Sequence, residues 1–543
     1  MREPASRLKK MSRPGPKRQE RTIRVLCAVT AGNASPRLDG GLALPFDSDY
    51  APMRNVAELL VPAIRWDTTT GFTRERARIA RALELGVGGF VLQGGPEAEV
   101  RSLIKDIRQA SKIPLLIGAE LERGVGQQFS GTTGLPPLAA IATLGDPNLV
   151  QRAAKLTARE ARPLGINWGF APTCDLRTNP ANVRTSLDGI TGSPDEIGAI
   201  ASLWIEACQH EGMLACAKHF PGAGRVGDVD GTSVPPVDVP RSILFEHEFK
   251  PFRAAISSRV ASMFVAHVSY PSLDASESPA TFSSVILRYL LREKYGFEGL
   301  VASDVLQARG PFSPEDEADV AMRALDAGCD VLLGPSHLDS LVDTLERCVR
   351  DGPLYEDRIE QSRRRRLKWA QWAAPQTDYR RVSGSDVAWA LQLAERVVTP
   401  IRGVVARPEQ GAEIVIVDDD EPCVPAHPRT AFAQALESSQ LATSIVSEPT
   451  PGRYDAVFVA VFGELRGRRT EVAYRPESLE KVSEVCLAAA RDRRQAVIVL
   501  FAPPVLASQI LGSAPIICAW SSDRCMQEAA ARWLLRPNVG NRE

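Results

Sequence analysis

From Val56 onward, short apolar runs of β-forming residues alternate with amphipathic helical stretches about eight times over roughly 300 residues, and this alternation limits the fold more than any other feature. The strand candidates are 59–66, 88–95, 113–120, 166–172, 214–220, 261–268, 299–304 and 330–335. Helical periodicity with glycine or polar stops fills the intervals, at 74–86, 100–111, 149–164, 195–212, 241–258, 283–295, 315–327 and 338–350. So many strand–helix units in succession predict an α/β fold closed as a (β/α)8 TIM-like barrel over 56–350, rather than an open doubly wound sheet.

At 543 residues the chain exceeds what one hydrophobic core supports. A charged helix and a Pro/Gly-punctuated linker at 351–385 lead into a second pattern of apolar strands and helices over 386–543. Its strands, EIVIVDD (413–419), YDAVFVAVFG (454–463), AVIVLFAPP (496–504) and PIICAWS (515–521), predict a smaller three-layer α/β sandwich with a mostly parallel sheet. Residues 1–55 are rich in Arg, Lys, Pro, Gly and Ser without periodicity and read as a disordered basic leader.

Apolar residues make up 44% and the formal net charge is −1, so no strong field is available to capture nucleic acid or an anionic membrane. The arginines at 363–366 are expected to form a solvated helix face. No apolar run reaches the ~20 residues of a membrane span, and 23–31 makes a poor signal peptide, so a cytoplasmic location is expected. The ten cysteines form no C-x-x-C pair or zinc-spaced cluster and read as free thiols. Without a metal-ligand cluster or a Gly-rich phosphate loop, no cofactor is expected.

Polar residues gather just beyond the strands: Glu120 and Glu122, Asp175, Lys218 and His219, His267, and Asp304. In a barrel these positions line one mouth. Two consecutive polar residues, Lys218 and His219, at the end of LACAKHF imply a departure from regular strand, because strand neighbours point to opposite faces. Asp304 ends the apolar run GLVASD; a helix N-cap is one reading of it and a catalytic carboxylate the other.

The segments IPLLIGAELERG (113–124), GINWGFAPTCDL (165–176), KHFPG (218–222), AHVSYPSLD (266–274), YGFEGLVASD (295–304) and AGCDVLLGP (327–335) resemble glycoside hydrolase family 3 in order and spacing, in particular its β-N-acetylhexosaminidase-like members. The resemblance spans about Ala57 to Pro335 and implies a barrel followed by an α/β sandwich. It implies a retaining mechanism with Asp304 as nucleophile, Lys218 and His219 holding sugar hydroxyls, and Asp175 near the site floor, where a structural role is as natural as sugar contact.

Three departures from the family pattern accompany the match. In the loop after KHFPG, Asp230 matches the aspartate of the family's Asp-x-His pair, but Thr232 stands where the acid/base histidine belongs, and a hydroxyl cannot replace imidazole. The family's sugar-binding aspartate appears as Glu120. The arginine of the family's Arg-Ser-Phe-Gly segment falls on Asp188, with Arg184 as substitute only if that loop is shifted. Asp228 or Asp230, or a second-domain glutamate such as Glu464, remain as proton donors. The expected partner is a small carbohydrate or glycan fragment. The expected activity is hydrolysis of terminal β-linked N-acetylglucosamine or glucose, in cell-wall recycling; the alternative is a sugar-binding or scaffold protein that no longer turns over.

Overall fold

The computed structural model describes residues 56–185, 187–227, 234–306, 317–352, 354–375, 379, 381–420, 427–464 and 472–536. The leader 1–55 and the loop carrying Asp228, Asp230 and Thr232 lie outside them.

The first sheet contains nine short parallel strands: β1 (Leu60–Val61), β2 (Ala63–Arg65), β3 (Gly89–Gln93), β4 (Leu116–Ala119), β5 (Trp168–Gly169), β6 (Leu214–Phe220), β7 (Ser262–Val265), β8 (Leu300–Val305) and β9 (Val331–Leu333). Their order, β1-β9-β8-β7-β6-β5-β4-β3-β2, begins and ends on two pieces of one extended run separated by Pro62. Leu60 pairs with Leu332 on one side, while Ala63 pairs with Val91 on the other, so the sheet closes into an eight-stranded barrel. All eight strands predicted from the alternating pattern are present.

The lower lumen is filled rather than open. Trp168 meets Phe170 and Phe264 edge to face, with centroids 4.9 Å apart for the first pair, and Leu116, Leu214, Leu300, Val331 and Leu333 pack around them. Trp168 satisfies its indole by donating from Nε1 to Ser262 Oγ at 2.7 Å. Ala370, Ala373 and Trp369, at the end of the helix Glu356–Trp372, close the bottom. The top of the barrel is therefore the face open to ligands.

That same helix corrects the expectation for the arginines at 363–366. Arg366 is fully buried, donating to Pro114 O and pairing with Glu58; Arg363 also pairs with Glu58, and Arg365 with Asp330. Arg364 alone keeps a largely exposed side chain. Successive residues of a helix point about 100° apart, so a run of four must place some side chains inward once one face packs on the barrel.

The second sheet has the order β10-β15-β14-β13-β11-β12, with β10 (Thr399–Arg402), β11 (Ala412–Asp418), β12 (Thr443–Ile445), β13 (Ala456–Phe462), β14 (Gln495–Phe501) and β15 (Ile516–Cys518). All neighbours are parallel except β10 against β15. The central strands β13 and β14 are apolar on both faces and buried, with Phe432 against Phe458 and Phe501, as a helix-covered parallel sheet requires. The eight cysteines among the described residues are free thiols.

Candidate active site

The mouth is assembled from the carboxyl ends of the barrel strands. Phe220 on β6 pairs with Val265 on β7, and Val265 pairs with Ser303 on β8. Register alone thus brings Lys218–Phe220, the start of the β7 loop with His267, and Asp304 to one level of the barrel.

The departure from regular strand that Lys218 and His219 required is present. The β6–β7 register shifts between Ala217 and Phe220, and the Lys218–His219 peptide is cis. The two side chains then engage different partners. Lys218 Nζ lies 3.0 Å from both Glu120 Oε1 and Glu122 Oε1. His219 Nδ1 lies 2.8 Å from Asp175 Oδ2.

Burial by itself depresses a lysine ammonium, but Glu120 and Glu122 outweigh it and hold Lys218 above the ordinary lysine range. Lys218 in turn is the main influence holding Glu120 below the usual carboxylate value. Glu122 is almost completely buried and is fixed from behind: its Oε1 accepts from Thr173 Oγ1 at 2.5 Å. The result is a rigid, charged bracket in which Glu120 is the more exposed member.

Both oxygens of Asp175 serve the backbone. Oδ1 accepts from Ala223 N at 2.7 Å, and Oδ2 accepts from His219 N at 3.2 Å as well as facing the imidazole. Asp175 is therefore a clamp on the β6 end, orienting His219 and leaving Nε2 as the ring's remaining hydrogen-bonding atom. The turn that follows depends on small residues: a Cβ on Gly224 would come within 1.7 Å of Leu176 O. His267 is buried at the same mouth, with Nδ1 2.8 Å from Thr281 Oγ1.

Asp304 is half-buried within β8, and its Oδ1 accepts from Val305 N at 2.8 Å. It belongs to a strand end. The next described helix begins only at Glu317. Arg184 lies in the short turn Val183–Thr185, its side chain outside the described atoms.

Two more charged residues stand beside this bracket: Arg123, to which the motifs assigned no role, and Asp188, which occupies the position of the family arginine. Arg123 is fully buried and pairs with second-domain residues, Nε 3.0 Å from Asp523 Oδ2 and Nη1 3.4 Å from Glu464 Oε2. Asp188 is half-buried, and its Oδ1 is enclosed with no hydrogen-bond partner among the described residues. Burial foremost pushes the Asp188 carboxyl up to about 7; Glu122 and Glu120 add to the rise, while Arg123 and Lys218 oppose it. A charged residue four positions past the buried strand β4 was the only available signal for Arg123.

Glu464 does not reach over the mouth as a proton donor would. Its side chain is buried at the domain junction, where Oε1 accepts from Ser522 Oγ at 2.6 Å and Oε2 faces Arg123. His427 Nε2 lies 3.0 Å from Asp523 Oδ1 in the same junction.

The model of the glycosyl hydrolase family 3 N-terminal domain matches residues 54–368. The chain belongs to glycosyl hydrolase family 3. A β-N-acetylglucosaminidase/β-glucosidase of Cellulomonas fimi is 31% identical over 288 residues, covering 51% of each chain, so this chain spans about half of that relative's length. A β-hexosaminidase of Glaesserella parasuis is 31% identical over 313 residues, 55% of this chain and 88% of that one. Among solved structures, a family 3 β-N-acetylglucosaminidase from a Paenibacillus species superposes with a TM-score of 0.75 at 22% identity, over 89% of this chain and 96% of its own. That likeness extends over both the barrel and the second sheet and concerns the fold.

Proposed function

We propose that this family member is a retaining β-glycosidase that removes terminal β-linked N-acetylglucosamine or glucose, with Asp304 as nucleophile. What supports the reading most is that strand register sets Asp304, at the end of β8, level with the barrel end that carries the Lys218 bracket and the Asp175-oriented His219. The name of the Cellulomonas fimi relative carries the same two sugars.

In this reading the Asp304 carboxylate attacks the anomeric carbon while a carboxylic acid protonates the departing oxygen, giving a covalent glycosyl-enzyme and a free alcohol. Water, deprotonated by the same group, then displaces Asp304 and regenerates it. Lys218, Glu120 and His219 hold hydroxyls of the bound sugar, His267 lines the same wall, and the negative charge of Asp304 stabilises the oxocarbenium character of the transition state. Asp230 is assigned as proton donor, and Arg184 as a further hydroxyl contact. The substrates are fragments recycled from cell wall in the cytoplasm; among the described residues no helix is long and apolar enough to cross a membrane.

A dinitrophenyl β-glycoside tests the central step, because its leaving group departs without protonation. A burst of phenolate, one per chain, is expected on the N-acetylglucosaminide or the glucoside, and Asp304→Asn abolishes it. Absence of a burst on both sugars refutes the reading. The replacement of the family's acid/base histidine by Thr232 favours one alternative, a protein that binds sugar without turning it over. Calorimetric binding of either sugar without a burst supports that alternative.

A further inference from the structure

Arg123 occupies an unusual position: its backbone belongs to the sugar-facing loop, and its charge belongs to the other domain. It follows Glu122 directly and lies three residues from Glu120, the two carboxylates that hold Lys218 at 3.0 Å. Its own backbone is fixed, since Arg123 N donates to Gln127 Oε1 at 2.9 Å and Arg123 O accepts from Leu135 N at 2.8 Å.

The guanidinium is completely buried, and among the described residues its ion-pair partners are two carboxylates of the second domain. Glu464 lies two residues past β13, and Asp523 precedes the helix Arg524–Leu534. Each is held in place from its own side: Glu464 by Ser522 Oγ at 2.6 Å, and Asp523 by Ser521 Oγ at 2.6 Å and His427 Nε2 at 3.0 Å. The junction is also close-packed, because a Cβ on Gly134 in the same barrel loop would meet Cys525 Sγ at 2.9 Å.

The charges respond accordingly. Burial opposes ionisation of Arg123, but Asp523, Glu464 and Asp188 overcome it and hold the guanidinium above the ordinary arginine range. Burial likewise works against ionised Asp523, and Arg123 with His427 brings its carboxyl down to about 2. A buried arginine deprived of these anions would be an uncompensated charge, a strongly unfavourable state. Undocking of the second domain would therefore strand this charge directly beside the Glu120/Glu122 pair.

The geometry points to Arg123 as a positioning residue through which Glu464 and Asp523 of the second domain set the Glu120/Glu122 bracket, so that the sugar subsite of the barrel is complete only when the two domains are joined. This rests on the proposed reading that Glu120 and Lys218 hold the sugar. It gives the second domain a part in substrate recognition without any of its atoms touching the ligand.

The test uses the full chain carrying Glu464→Gln and Asp523→Asn. Both amides retain an oxygen for the serine donors while removing the charge opposite Arg123. Calorimetry with N-acetylglucosamine and glucose, KM and kcat on the dinitrophenyl glycosides, and amide hydrogen exchange across 120–135 are the readouts. The expected result is sugar binding weakened by about 10- to 100-fold, as the loss of one well-placed charged hydrogen bond to the sugar produces. KM should rise with kcat changed much less, and exchange should quicken in 120–135 but not in the barrel strands.

Should the double variant fail to fold, adding Arg123→Met removes the stranded charge, and the same weak binding is expected from the refolded triple variant. Wild-type binding and wild-type exchange in 120–135, with only a lowered melting temperature, overturn the inference. The two readings fail separately: without sugar binding or a burst in the unaltered protein the proposed function falls, and the exchange result alone then decides the coupling of loop and domain.

Discussion

Replacing Asp188 by asparagine should stabilise the protein at pH 8 and leave it almost unchanged at pH 4. Asp188 is enclosed beside Glu120 and Glu122, and its carboxyl titrates near 7 against an ordinary value of 3.8. The shift is about three units, and each unit corresponds to about 1.4 kcal/mol, so the ionised form carries a penalty of about 4 kcal/mol if nothing else relaxes. Arg123, Lys218 and the two glutamates titrate and rearrange with it as one network, which leaves about 2 kcal/mol as the expected effect. The sign follows from proton binding. Between pH 4 and 7 the unfolded chain has lost a proton that the folded chain keeps, so folding stability declines as pH rises through that window. Below pH 4 both states are protonated, and above pH 7 both are ionised, so the effect levels off on either side.

The isosteric amide carries no titrating proton and escapes the decline. The assay is the melting temperature of wild type and Asp188→Asn, measured in parallel from pH 4 to pH 8.5 at constant ionic strength. The difference should open in favour of the variant between pH 4 and 7 and stay level above it. A difference independent of pH, or a variant less stable at pH 8, refutes the placement of Asp188 in the buried acidic cluster.

Lys218→Met should leave Glu120 and Glu122 facing each other without the cation between them. A loss of about 3–5 kcal/mol is expected from breaking the buried group, measured by denaturant unfolding, together with loss of sugar binding by calorimetry. Gly224→Ala places a methyl on Leu176 O, and the soluble yield should collapse; wild-type stability for this variant would contradict the described turn. Trp168→Ala should cost about 3–5 kcal/mol by emptying the barrel floor while leaving the mouth chemistry intact, so Asp304-dependent burst amplitude should persist at low temperature.

The barrel was legible because each of its strands is an apolar run bounded by a helix of opposite periodicity, and a parallel sheet covered on both faces leaves that signature. β10 and β12 were not legible. One is Thr399–Arg402, mostly exposed and containing Pro400; the other is three residues at the opposite edge. Edge strands bury little, so their sequences carry little of the pattern that marks a strand. In the site, Lys218, His219, Asp175 and Asp304 stood out as charges at the ends of apolar strands, and the structure pairs Lys218 with Glu120 and His219 with Asp175 at the mouth.

Arg123, Glu464, Asp523 and His427 form a group that no local pattern announces, since Arg123 and Glu464 are 341 residues apart. Glu464 looked available to the mouth because it follows a strand, as catalytic carboxylates do. Its partners at the junction explain why it is placed elsewhere. The same holds for Arg366: a charge inside a run of arginines reads as solvated until Glu58, 308 residues earlier, supplies a buried partner.

The interruption at Pro62 has a consequence for how the chain matures. The first strand of the barrel changes neighbour halfway along, giving Leu60 and Val61 to β9 and the remainder to β3. Its second neighbour leaves the ribosome roughly 270 residues after the first strand, so until then the nascent sheet is an open ribbon with two unsatisfied margins. Any shortening of the amino terminus that removes Leu60 and Val61 would make that unfinished state permanent, with Leu332 and Leu333 left as a bare seam.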